Sequence, residues 1–196
     1  MTNGVVRILG IPGSLRKLSY NKWALRAAQQ LVPDDATVEI FELDGIPPFN
    51  EDEEHQPPPA VADFKARLRE ADAVLFATPE YNYSIPGVLK NAIDWASRPN
   101  GQSAWTGKPA AIIGASPGLM GTVRAQHHLR QTFVFLEMPV VSQPQVLISS
   151  AHQRFNERGD LNDEMSRKLI RQLLEALVRL TQTLAHAAPT VPAGAR

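Results

Sequence analysis

Along this chain of 196 residues, short apolar runs alternate with segments of helical spacing, and three of the runs stop at proline or glycine. Residues 5–11 end at Pro12-Gly13, residues 73–78 at Pro79, and residues 110–115 at Ser116-Pro117-Gly118. Nearly continuous apolar runs of this length are what strands look like in a sheet covered on both faces. Trp23, Ala24, Ala27, Ala28 and Leu31 recur at helical spacing up to Pro33-Asp34-Asp35, as do Val61, Phe64, Leu68 and Ala71. A third helix begins near Pro86, where proline suits the first turn, and carries Val88, Leu89, Ala92, Ile93 and Trp95. Further strands are predicted over 37–43 and 140–148, the second interrupted near Pro144, and a fourth helix over 122–135. The final helix shows one apolar stripe, Leu161, Met165, Leu169, Leu173, Leu177, Val178 and Leu180, opened by Asn162-Asp163-Glu164. Residues 45–59, rich in proline and acid, read as a surface loop. Five strands alternating with five helices predict one α/β domain over 1–187, a parallel sheet with helices on both faces. Residues 188–196 are expected to fray.

The chain has no cysteine. Disulfides, thiolate metal sites, Fe–S clusters and dithiol chemistry are therefore excluded, and any redox activity must sit on a bound cofactor. Twenty basic and twenty acidic side chains leave no basic excess of the kind that marks a nucleic-acid partner. The same balance gives little like-charge resistance to self-association. Met-Thr-Asn-Gly leads straight into a strand-like run, and no apolar stretch approaches the ~20 residues of a membrane span. A cytoplasmic protein is the expectation.

In such sheets ligands sit beyond the carboxyl ends of the strands, where the strand order reverses. The loops after strands one, three and four are all unusual. Gly13-Ser14-Leu15-Arg16-Lys17-Leu18-Ser19-Tyr20-Asn21 offers hydroxyls, an amide and an arginine fork at a helix N-terminus, a donor set suited to a monophosphate. It lacks both the ATP-type phosphate loop and GxGxxG. The alternative is a polar loop whose Ser19 or Asn21 merely caps the helix. Thr78-Pro79-Glu80-Tyr81-Asn82-Tyr83-Ser84-Ile85-Pro86-Gly87 places two tyrosines in a proline-bounded loop, suited to a flat aromatic ligand or to packing at a subunit contact. Glu80 there reads as solvated. Gly114-Ala115-Ser116-Pro117-Gly118-Leu119-Met120-Gly121-Thr122 lets backbone approach a ligand closely, or is simply a flexible turn. His127 and His128 are adjacent, unlike the i, i+4 pair of a helical metal site, and no metal is expected.

These three motifs, in these βα positions, resemble the NAD(P)H-dependent FMN reductases, the flavodoxin-like branch that includes chromate and quinone reductases and azoreductase-like enzymes. The likeness runs from about residue 5 to 148 and takes in residues 89–95 and 124–131. Thr122 departs from members that carry a second glycine there. The resemblance implies a flavodoxin-like three-layer sandwich with a five-stranded parallel sheet. It implies FMN as cofactor and NADPH or NADH as hydride donor. The phosphate falls to Ser14, Arg16, Ser19, Tyr20 and Asn21; the ring to Pro79, Glu80, Tyr81, Asn82 and Tyr83; its pyrimidine side to Ser116, Pro117 and Gly118. The implied activity is ping-pong reduction of quinones or similar small acceptors through flavin N5, with chromate, azo compounds or free flavin as other acceptors and no catalytic side chain. A homodimer, in some members paired into a tetramer, is implied too; Tyr83, Trp95 and Trp105, near these loops in sequence, are the candidates for the contact. A non-enzymatic flavodoxin-like electron carrier or redox sensor is the alternative.

Overall fold

The computed structural model describes residues 4–187, so the expected terminal tail lies outside the described residues. The strands are β1 (Val6–Pro12), β2 (Ala36–Ile40), β3 (Ala73–Ala77), β4 (Ala110–Ala115) and β5 (Val146–Ile148). The helices are α1 (Tyr20–Leu31), α2 (Pro59–Glu70), α3 (Gly87–Ala96), α4 (Val123–Phe135), a four-residue α5 (Ala151–Arg154) and α6 (Glu164–Ala187), and one 3-10 turn spans Glu51–Glu53. All strand pairs are parallel, in the order β2-β1-β3-β4-β5. That is the flavodoxin-like order, with its reversal between β1 and β3.

Alternation along the buried strands divides the core in two. Ile8, Leu75, Ala77, Ile113 and Val146 face α1 and α6; Leu9, Ile11, Val74, Phe76 and Ile112 face α2, α3 and α4. Helices thus cover both faces, which is why the strands read as continuous apolar runs.

Several boundaries shift from expectation. Val140 contributes only an isolated bridge to Ala110, and β5 begins at Val146, beyond the interruption around Pro144. The last helix starts at Glu164, at the end of its Asn162-Asp163-Glu164 opening, and Leu161 of the expected stripe sits upstream and bridges to Phe155. Met165 is exposed rather than part of the stripe, which runs through Ile170, Leu173, Leu174, Leu177 and Val178. Trp95 and Trp105 are buried to 1% and 0% exposure, so neither is a surface for a partner. Their ring N–H groups donate to the Pro47 and Ile93 carbonyls at 2.9 Å each. Asn91 and Trp95 hold the head of the proline-rich loop, and Arg98 holds its acidic part through Glu51 and Glu54.

The start of α6 obeys its acidic signature. Asp163 accepts from Ser166 N–H at 2.9 Å and Ser166 Oγ at 2.6 Å, and pairs with Arg154. The Ser166 bonds, with Arg154, outweigh partial burial and hold its carboxyl below the usual range. A carboxyl depressed on folding stabilises the native state above its unfolded pKa, and that contribution is lost as pH falls through the folded value. Asp163→Ala is therefore expected to cost about 1 kcal/mol at neutral pH in urea unfolding. The difference from wild type should vanish in acid below the ordinary carboxylate range.

Candidate functional site

The loops leaving β1, β3 and β4 meet at the carboxyl end of the sheet, as the topology requires. In the first, Ser14 is buried, its Oγ accepting from Arg16 N–H at 3.3 Å and lying 3.5 Å from the Tyr81 hydroxyl. Ser19 Oγ caps α1 by accepting from Asn21 N–H at 3.2 Å. Arg16 and Lys17 are exposed; Arg16 Nε donates to the Leu18 carbonyl at 3.1 Å, and its guanidinium lies 5.7 Å from the centroid of the Tyr20 ring. Tyr20 packs against Trp23 and Phe155, with ring centroids 5.3 and 5.8 Å away. The backbone N–H groups of Leu15, Lys17, Leu18 and Tyr20 meet no acceptor among the described residues, and residues 13–20 include no acidic side chain. Unpaired amides, an arginine and no carboxylate form a donor set that fits a phosphate.

Asn21 is directed elsewhere. Its Nδ2 donates to the Ala115 carbonyl at 3.0 Å and its Oδ1 accepts from Ala115 N–H at 2.9 Å. The last β3–β4 bond runs from Thr78 N–H to the Ile113 carbonyl, and β3 then leaves the ladder at Pro79. Asn21 supplies the pair of bonds that Ala115 would otherwise lack, and joins the first loop to the third.

In the second loop Pro79 is buried, whereas Tyr81, Asn82 and Tyr83 are exposed. Glu80 departs from the solvated reading. Its carboxylate accepts from the backbone N–H groups of Arg124 at 3.0 Å and Ala125 at 3.2 Å, and binds the Arg124 guanidinium. Burial pushes its carboxyl up, but the bonds from Arg124 and Ala125 prevail and leave it below the usual range. Glu80 therefore caps α4, a role invisible in sequence because its partners lie 44 and 45 positions away. Arg124 in turn lies 3.8 Å over the Tyr83 ring. Arg124 falls in the 124–131 stretch of the likeness, but nothing in the spacing ties it to Glu80.

The third loop is more firmly held than a flexible turn. Ser116 N–H donates to the Ile148 carbonyl at 2.9 Å, Ser150 N–H to Gly118 at 3.0 Å, and Ala151 N–H to Ser116 at 3.0 Å. Ser116 Oγ accepts from Gly118 N–H at 3.1 Å. Pro117, Gly118, Leu119 and Met120 are exposed, and Gly121 and Thr122 both adopt left-handed backbone. The bracing residues around 148–151 carry no motif and were not foreseen. His127 and His128 are exposed, and His128 Nδ1 meets Ser84 Oγ at 3.0 Å.

Small exposed loop residues, two exposed tyrosines and an anion-suited first loop fit a flat phosphorylated cofactor. The sequence profile of the NADPH-dependent FMN reductase family matches residues 6–153. An NAD(P)H-dependent FMN reductase of Pseudomonas aeruginosa is 56% identical over 173 residues, covering 88% of this chain and 93% of that protein. A quinone reductase of Pseudomonas putida is 47% identical over 161 residues, covering 82% and 87%. Among solved structures, the flavoenzyme NAD(P)H:(acceptor) oxidoreductase FerB of Paracoccus denitrificans superposes with a TM-score of 0.84 at 36% identity, over 91% of this chain and 98% of that one. No described helix is long and apolar enough to cross a membrane. The match over most of the chain, on a sheet of flavodoxin-like order, means that this protein belongs to the NADPH-dependent FMN reductase family.

Proposed function

We propose that this chain is an FMN-dependent NAD(P)H oxidoreductase whose acceptors are quinones, with chromate, azo compounds and free flavin as further oxidants. The observation that carries the reading is the acid-free first loop with its unpaired amides, set beside two loops able to line a flat ring. Ser14, Arg16, Ser19 and the loop amides would hold the phosphate, with Tyr20 flanking Arg16. The segment from Pro79 to Tyr83 would line the ring, and Ser116, Pro117 and Gly118 would approach it from the other side. Asn21 and Glu80 serve from behind, fixing the loops to one another. Bound FMN supplies hydride acceptance from NAD(P)H and electron delivery to the oxidant, so no nucleophile or metal is required of the protein. Purification should give FMN, identified by chromatography after denaturation, and steady NAD(P)H oxidation with added quinone. A protein that holds FMN but consumes NAD(P)H only with a separate reductase is a carrier, and overturns the enzymatic reading.

Arg16→Ala is expected to raise the FMN dissociation constant about 10- to 100-fold, since bonds to a charged group contribute ~1.5–3 kcal/mol. Turnover at saturating FMN should return close to wild type, and Lys17→Ala should leave the affinity unchanged. Flavin titration followed by turnover at saturating flavin checks both.

Assembly as a homodimer is part of the same proposal. Val134 and Phe135, at the end of α4, are 79% and 88% exposed, and Tyr81, Tyr83, Leu119 and Met120 add exposed apolar surface around the site. Exposed apolar patches of this kind mark contacts. Sedimentation should give a dimer or a pair of dimers for wild type and a smaller species for Phe135→Glu. A fully active wild-type monomer contradicts it.

A further inference from the structure

Tyr83 stands where a two-residue hairpin turn ordinarily takes glycine. Asn82 and Tyr83 have φ of 50° and 66°, and Tyr81 and Ser84 exchange backbone bonds of 3.0 Å on either side. This is the turn type with both central residues left-handed, for which Asn-Gly is the favoured pair. Asparagine tolerates that backbone, but a bulky aromatic there is held only where its surroundings over-determine it. Those surroundings come from the first turns of α4. The Arg124 guanidinium lies 3.8 Å from the centroid of the Tyr83 ring, a distance at which the ring face attracts a cation. Glu80, with a side chain only 9% exposed, grips that guanidinium and the N–H groups of Arg124 and Ala125. His128 reaches Ser84 one turn further on. The second loop is thereby clasped to α4 at three successive points, while Tyr81 and Tyr83 stay exposed.

We propose that Glu80 and Arg124 are positioning residues that set the Asn82–Tyr83 turn, and with it the aromatic wall of the cofactor site, before the cofactor arrives. The proposal rests on the FMN reading above. Its physical content is preorganisation: a loop already in its bound shape loses less freedom on binding.

The test uses Arg124→Met in the full chain. This variant removes the guanidinium but leaves both backbone N–H groups for Glu80, so α4 keeps its cap. Without flavin, hydrogen exchange of the Tyr81 and Ser84 amides should quicken about tenfold, the scale of one lost cation–π contact. Exchange at Ala115, held by Asn21, should not change. FMN affinity should fall by a similar factor. Adding Tyr83→Gly should restore protection at Tyr81 and Ser84, because glycine adopts left-handed backbone at no steric cost. Unchanged exchange at Tyr81 and Ser84 in Arg124→Met overturns the clasp. Faster exchange with undiminished FMN affinity overturns its positioning role. Failure of Tyr83→Gly to restore protection shows that the left-handed tyrosine is not what Arg124 balances, and overturns the proposal as well. A wild-type protein that takes up no FMN overturns the cofactor reading instead, while the flavin-free exchange still decides whether the clasp holds the turn.

Discussion

Asn21→Leu is expected to lose roughly 3 kcal/mol of stability, since each buried polar group left without a partner costs about 1–3 kcal/mol. The variant orphans both the N–H and the carbonyl of Ala115, a residue 3% exposed and out of reach of replacing water. For a chain of this size the melting temperature should fall by roughly 6–12 °C. FMN affinity should drop with it, because the start of α1 and the end of β4 are no longer tied. Asn21→Asp keeps an acceptor for Ala115 N–H but turns a second oxygen on the Ala115 carbonyl. Burial raises such a carboxyl, and once protonated it can donate to that carbonyl. Its deficit relative to wild type should therefore shrink as pH is lowered. Calorimetry at several pH values checks both variants, and wild-type melting of Asn21→Leu would refute the clamp.

Gly114→Ala is expected to destabilise by about 3 kcal/mol, at the upper end of what overpacking a core usually costs. A Cβ at Gly114 would lie 1.7 Å from Thr122 Oγ1 and 2.9 Å from Thr122 Cβ. Thr122 cannot step aside, being fully buried at a φ of 71°. A β-branched residue is an outlier in that region, so the position suits glycine better by backbone alone. Thr122→Gly removes both Thr122 atoms and relieves the left-handed strain, leaving only Gln126 Nε2, the far end of a flexible side chain, at 2.9 Å. The double variant Gly114→Ala with Thr122→Gly should regain most of the loss, a non-additivity that denaturant unfolding of the four proteins would measure. Additive costs would show that the third loop shifts as a whole.

Periodicity made the layers legible, because a parallel sheet buried on both faces leaves nearly unbroken apolar runs, and an amphipathic helix leaves a stripe. It could not set the ends. Leu161 and Met165 match the spacing of α6, yet one bridges to Phe155 and the other is exposed. The three loops were legible as a set for a similar reason: fold topology brings them together whatever their side chains do. Side-chain direction was not legible. Asn21 looks like a phosphate ligand or a cap and instead completes the edge of β4; Glu80 looks solvated and instead caps a helix. Their partners lie 94 and 44 positions away, beyond any local pattern. Trp95 and Trp105, near the loops in sequence, turn inward because their N–H groups find carbonyls in the core.

The two halves of the core close at different times. The cluster under α2, α3 and α4 draws on residues no later than 140. The opposite cluster needs Ile170, Leu173, Leu174, Leu177 and Val178, since α6 lies against α1, β3, β4 and β5. During synthesis, that face is therefore covered only by α1 until α6 has emerged from the ribosome. Nascent chains stalled short of α6 leave the part of that face near β5 uncovered, the kind of apolar surface that chaperones bind. Closure of this half of the core waits on α6, whereas the other half does not.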